Sequence, residues 1–144
     1  MKSELPLRPN KVCPVVIRGQ ESIEILAFEH PLAGTQLVKG TIELGENSRD
    51  AALRELHEES GLIASDVLAD LGVWASGYEN HIWAFHLCDI NDLPDSWVYR
   101  TADDGGHNFK FFWHPLSQQP NAQWHWVFQG ALKYIASKFP AGHS

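Results

Sequence analysis

The chain has 144 residues, 44% hydrophobic and 20% charged, the makeup of an ordinary globular protein long enough to bury a core, and a single domain over residues 1–144 is expected. Its net charge of −7 comes with no cluster of Lys or Arg, which argues against broad electrostatic binding to nucleic acid and requires an anionic substrate to find a local cation. The opening residues, Met1-Lys2-Ser3-Glu4-Leu5-Pro6, carry no apolar run, and no membrane-length stretch follows, so a cytoplasmic protein that does not engage a membrane is expected. Cys13 and Cys88 lack any Cys-x-x-Cys spacing and read as buried or free thiols, not a redox or zinc pair.

In chain order, Pro14 to Arg18 and Ile23 to Glu29 read as two strands around a turn near Gly19-Gln20, and Leu37-Val38 as a short strand entering a loop. Residues 48 to 60 then read as a helix. Ser48 is the expected N-cap, Asp50 suits the positive end of the helix dipole, the middle contains strong helix formers, and Gly61 is placed to stop it. Leu68 to Ala75 and His81 to Asp89 form an expected strand pair across Gly77-Tyr78-Glu79-Asn80. Ile90 to Asn108 is the least regular stretch and reads as a loop over the site. Phe109 to His114 is another strand, and Ala122 to Phe139 is a helix ended by Pro140. Strands combined with two long helices predict an α/β (α+β) protein, with a mixed sheet between helical layers.

The chemistry concentrates on the first helix. Glu55, Glu58 and Glu59 are spaced three and four apart, so they share a face roughly 100° wide. Like charges this close repel, by roughly 0.2–0.5 kcal/mol per pair, and a bound cation would reverse the sign. Hard divalent ions are held by a few carboxylates together with substrate phosphates. Arg54 lies one turn before Glu58, and Glu46 can reach it from the preceding loop. A lone Glu-Glu pair on a helix is more often a solvated face, but the wider pattern is specific. It runs Gly40-x5-Glu46-x7-Arg54-Glu55-Leu56-x-Glu58-Glu59-x-Gly61-Leu62, and matches at every specified position arise by chance on the order of once in 10⁷ chains.

This pattern resembles the signature of the Nudix hydrolases. The resemblance implies an α/β/α sandwich with a central mixed sheet and hydrolysis of a nucleoside diphosphate linked to another group. It also implies Mg²⁺ or Mn²⁺ held by Glu55, Glu58, Glu59 and the Gly40 carbonyl, with Glu55 the first choice for the base that deprotonates water. Asp103, Asp104 and, more weakly, Glu79 are alternative bases from later loops. Arg54 and Glu46 are expected to orient the acids, Arg54 supporting the catalytic Glu55 and Glu58. Lys39 stands where many members have Gly, and Val38-Lys39-Gly40 resembles the loop of the dinucleoside polyphosphate hydrolase branch, which usually has Pro at the Val38 position. Lys39 and Asp104 are therefore candidate substrate contacts, although an exposed loop Lys is an equal reading.

A dinucleoside polyphosphate leads among small nucleotide-like substrates; nucleoside triphosphates, ADP-ribose-like sugars and capped RNA ends stay open, as does a homodimer. The alternative to an enzyme is a catalytically silent nucleotide-binding or regulatory module of the same fold. His81, His86 and His125 read as packing or surface residues. His107 and His114 could touch substrate, and Trp97, Tyr99 and Trp113 could stack on a base, although packing is the favoured role of each.

Overall fold

The computed structural model describes residues 8–102 and 106–139. Asp103, Asp104 and the expected helix stop at Pro140 lie outside them. The elements follow the order β1 (Lys11–Val15), β2 (Ile17–Arg18), β3 (Glu24–His30), β4 (Gly34–Gln36), β5 (Gly40–Thr41), α1 (Ser48–Ser60), β6 (Asp66–Ala75), β7 (Ile82–Asp89), β8 (Trp97–Thr101), β9 (His107–Pro115) and α2 (Trp126–Ala136).

The strands divide into two sheets. One is mixed, in the order β5-β1-β7-β6, with β1 parallel to β7 and the other pairs antiparallel. The other is antiparallel, β2-β3-β9-β8, with β4 also paired to β3. They meet at Val16, between β1 and β2, where its carbonyl accepts the Leu26 N–H at 2.9 Å.

Alternation along the strands sends side chains to two cores, because successive residues face opposite sides of a sheet. Cys13, Val15, Ile25, Ala27, Trp83 and Phe85 pack with Val127, Phe128, Ala131, Leu132 and Ile135 of α2. Val16, Leu26, Phe28, Phe109, Phe111 and Trp113 pack with Leu56 of α1. Ala51 and Ala52 set α1 closely against Val12 and Ala84 of the mixed sheet. The two helices thus cover opposite faces, which is the layered α+β arrangement expected of the sequence. Cys13 and Cys88 are buried, free thiols, and burial pushes both upward in pKa, Cys88 to about 11.

The first helix has the expected bounds but a different cap. Asn47, not Ser48, caps it, its side-chain oxygen accepting the Asp50 N–H at 2.8 Å. Ser48 is thereby released to pair with His86 across 2.8 Å. At the other end Gly61 adopts φ +80°, and its N–H donates to the His57 carbonyl.

The stretch expected to be an irregular loop contains β8. Its inward residues Trp97, Tyr99 and Thr101 alternate with exposed Val98 and Arg100, a strand pattern short enough to be obscured by the neighbouring Pro94 and acids. Trp97 donates its indole N–H to the Ser60 carbonyl at 3.0 Å, and Thr101 its hydroxyl to the Glu58 carbonyl at 3.2 Å. Both are C-terminal carbonyls of α1 that lack helical partners. The second helix is shorter than expected. A turn at Asn121, whose carbonyl accepts the Trp124 N–H, keeps Trp124 outside it, and His125 is the N-cap.

His86 is buried, and its Nδ1 has no protein partner. Burial lowers its pKa; the Arg49 charge adds to the shift and Asp70 opposes it. The stabilising contribution of the neutral ring is full above the ordinary histidine value and is lost as pH falls below it towards the depressed folded value. Melting temperature should therefore drop between pH 8 and pH 5.5. It should drop less in His86→Gln, with a residual slope from His81, whose pKa is also lowered by burial. Equal slopes in the two proteins would remove His86 from this role.

Candidate active site

The site is built where β5 and the start of α1 are brought together by an arginine. The guanidinium of Arg54 grips Glu46 with Nε and Nη2, each 2.8 Å from a carboxylate oxygen. Nη1 donates to Glu55 at 2.9 Å and Glu58 at 3.1 Å, and Nη2 also reaches the Thr41 carbonyl at 2.9 Å. Glu46 in turn accepts the Glu43 N–H at 3.0 Å, which closes the loop from β5 to α1. The Arg54 guanidinium, aided by that N–H, holds the Glu46 carboxyl down at about 2, and Arg54 itself is pushed upward, Glu46 being the main cause. One fork therefore ties three acids and a strand carbonyl together, as bidentate guanidinium–carboxylate geometry allows.

Gly40 faces this cluster directly. A Cβ on it would lie 1.9 Å from the Glu55 Cδ and 2.2 Å from each carboxylate oxygen. The glycine is required for space, since the carboxylate occupies the volume any side chain would need. Glu55 is 6% exposed, deep for a carboxylate.

A cavity of about 450 Å³ opens here. Lys39, Gly40, Glu55 and Glu59 of the sequence-derived candidates all line it, with Thr41 and Glu43 beside them. Glu58 is exposed and lies on the outer side, engaged by Arg54. Lys39 is half-buried, not an exposed loop residue. Its ammonium lies 5.4 Å from the Trp83 ring centre and 5.7 Å from that of Phe128, and burial lowers its pKa, with Lys11 adding to the shift. Glu79 is exposed, at a turn with φ +51°, and is not part of the cavity wall.

Among the described residues, no group of three or more His, Cys, Asp or Glu side chains is preassembled as a metal cage. The carboxylates on the cavity wall among the described residues are those of Glu43, Glu55 and Glu59, with the Gly40 backbone in contact with Glu55, and the His30 imidazole also lines it. A carboxylate-rich set with few protein ligands fits a hard ion such as Mg²⁺ or Mn²⁺.

The family model for the NUDIX domain matches residues 7–132, most of the chain. The chain belongs to the Nudix family. As a Nudix hydrolase it acts on pyrophosphate bonds. No curated protein matches the sequence at a significant level. Among solved structures, the Nudix chain resembles an ADP-ribose pyrophosphatase from Streptococcus suis, with 14% identity, 95% of this chain and 94% of that one covered, and a TM-score of 0.66. It also resembles a C. elegans Ap4A hydrolase (21% identity, 92% and 98% covered, TM-score 0.63) and the Bacillus subtilis pyrophosphohydrolase BsRppH (19%, 94% and 83%, 0.63). At these identities the likeness is one of fold.

Trp97, Tyr99 and Trp113, for which packing was the favoured role over base stacking, do not line the Nudix cavity. Trp97 is stacked on Phe111, 4.8 Å between centres, Tyr99 lies over Gly61, and Trp113 lies under the Arg18 guanidinium and donates to the Pro94 carbonyl. His114 is buried, with Nε2 2.9 Å from the Gln118 carbonyl. The sequence reading missed Phe28, His30, Gln36 and Phe109, which do line the cavity. Only the pairing of β3 with β4 and β9 brings them there, and no local motif announces it.

Two substitutions test this geometry. Gly40→Ala should fold, because the clashing group is the free end of a flexible side chain, yet it should displace the Glu55 carboxylate and cut turnover. Arg54→Met should instead destabilise the protein, since it leaves partly buried charged acceptors unpaired, at roughly 1–3 kcal/mol or more. Thermal melts and turnover of both variants check the contrast, which fails if Gly40→Ala retains full activity.

Proposed function

We propose that the chain, as one domain over residues 1–144, is a Mg²⁺- or Mn²⁺-dependent pyrophosphohydrolase. Its substrate is a nucleoside diphosphate linked to another group, with a dinucleoside polyphosphate as the leading choice. The observation that carries this reading is the convergence of Glu55, Glu59, Lys39 and Gly40 on one cavity, with Arg54 fastened behind Glu55. The Lys39-Gly40 loop favours the dinucleoside polyphosphate branch, and the fold likeness to an Ap4A hydrolase is consistent with it. A cytoplasmic setting fits the reading; among the described residues no helix is long and apolar enough to cross a membrane.

Glu55, Glu58, Glu59 and the Gly40 carbonyl are assigned to hold the metal. When bound, the ion supplies positive charge against the phosphate oxygens and lowers the pKa of water. Glu55 takes the proton as a water oxygen attacks phosphorus; a new P–O bond forms and the anhydride P–O bond breaks, the departing phosphate keeping the bond pair. Burial of Glu55 and its hydrogen bond from Arg54 hold the carboxylate in one place for this role. Arg54 keeps Glu55 and Glu58 oriented and offsets their mutual repulsion. Lys39 and, from the segment outside the described residues, Asp104 are assigned to substrate contact.

Phosphate release from a panel of diadenosine polyphosphates, ADP-ribose and nucleoside triphosphates should require added Mg²⁺ or Mn²⁺ and stop on chelation. Glu55→Gln should lower kcat by roughly 10²–10⁴-fold. Glu59→Gln should weaken Mg²⁺ uptake measured by calorimetry. Nucleotide binding by the intact protein without any turnover would favour the silent binding module instead.

A further inference from the structure

The cavity has two chemically different walls. One, from β5 and α1, carries the acids Glu55 and Glu59. The other, from the antiparallel sheet, carries Phe28, His30, Gln36 and Phe109 among the described residues. The rings on this second wall form a ladder. Phe28 and Phe109 are stacked, 4.3 Å between centres and 19° apart in plane. His30 lies 5.1 Å from Phe109 and 4.9 Å from His107. Phe28 and Phe109 are 1% and 5% exposed, so they have little ring surface left to offer. His30 is the half-exposed rung of the ladder on the cavity wall.

The tautomer of His30 is fixed by the backbone. Its Nδ1 accepts the Leu32 N–H at 3.0 Å, which fixes the orientation of the ring and leaves the ring proton to Nε2. A ring held in place and backed by other aromatic rings is a stacking surface. Gln36, which pairs with Phe28 in the β3–β4 register, adds an amide with both donor and acceptor atoms on the same wall. The cavity's size falls in the range of about 300–1,000 Å³ typical of small-molecule sites.

We propose that His30 is the base platform of this site: the nucleobase of the substrate stacks on its imidazole, Gln36 meets the base edge, and the phosphates run towards Glu55 and Glu59. This rests on the reading of the cavity as a nucleotide hydrolase site and assigns the residues that hold the base of such a substrate. It makes His30 a specificity residue.

Calorimetric binding of AMP and of ribose 5-phosphate, in the presence of Mg²⁺, separates base from phosphate contacts without requiring turnover. His30→Ala should weaken AMP binding roughly 5- to 100-fold, the span expected for one stacked base, and leave ribose 5-phosphate unchanged. His30→Phe should restore AMP binding to within about threefold, whereas His30→Asn, which keeps a hydrogen-bonding amide but no ring, should not. Equal weakening of both ligands, rescue by Asn but not Phe, unchanged AMP affinity in His30→Ala, or no AMP binding by the intact protein would each overturn the proposal. Failure of the hydrolase reading shows separately, as absent turnover of the nucleotide panel with these AMP affinities still in the expected order.

Discussion

Three carboxylates crowd one helical face, and two of them, Glu55 and Glu58, share a positive partner within the protein, the guanidinium of Arg54. Its planar fork matches Glu46 bidentately while its remaining N–H groups reach Glu55, Glu58 and the Thr41 carbonyl. A lysine ammonium would supply the same charge but not five directed contacts. Because Glu46 and Thr41 belong to the segment before α1, the same side chain fixes the approach of that segment to the helix. The Gly40–Glu55 contact depends on this closure, and so does the shape of the cavity.

The two sheets explain why the cavity has its composition. α1 lies close to the mixed sheet because Ala51 and Ala52 present almost no bulk to Val12 and Ala84. β5 extends that sheet on the far side of β1. The antiparallel sheet contributes its aromatic residues from β3 and β9, whose register places Phe28 opposite Phe111 and Ala27 opposite Phe112. Acids therefore come from a helix and rings from a sheet, and Val16, whose carbonyl accepts the Leu26 N–H, links the two sheets.

Some of this was legible in the chain and some was not. Helix α1 was, since propensity, the acidic first turn and the Gly61 stop are all local, and they agree with its bounds at 48–60. Its cap was displaced by one residue because Asn47 and Ser48 are equally suited to the position, and only the neighbouring His86 decides which is used. Strand β8 was hidden for a different reason. Its pattern is five residues long, and its partner β9 lies several residues further along. The acids, Arg54 and Gly40 could be found from spacing alone, whereas the ring wall depends on strand register, which sequence periodicity does not encode. Trp97, Tyr99 and Trp113 take the packing role that was favoured for them.

The attachment of β8 to the end of α1 has a consequence for how the molecule breathes. Helix termini ordinarily fray, opening turn by turn on a local scale. Here the carbonyls of Glu58 and Ser60 are held by Thr101 and Trp97, residues some forty positions away, so the last turn cannot unwind unless the strand also lets go. These two contacts couple the end of the helix to the strand and oppose its local fraying. The stretch bearing Glu58 and Glu59 inherits the rigidity of a sheet, not that of a helix tip.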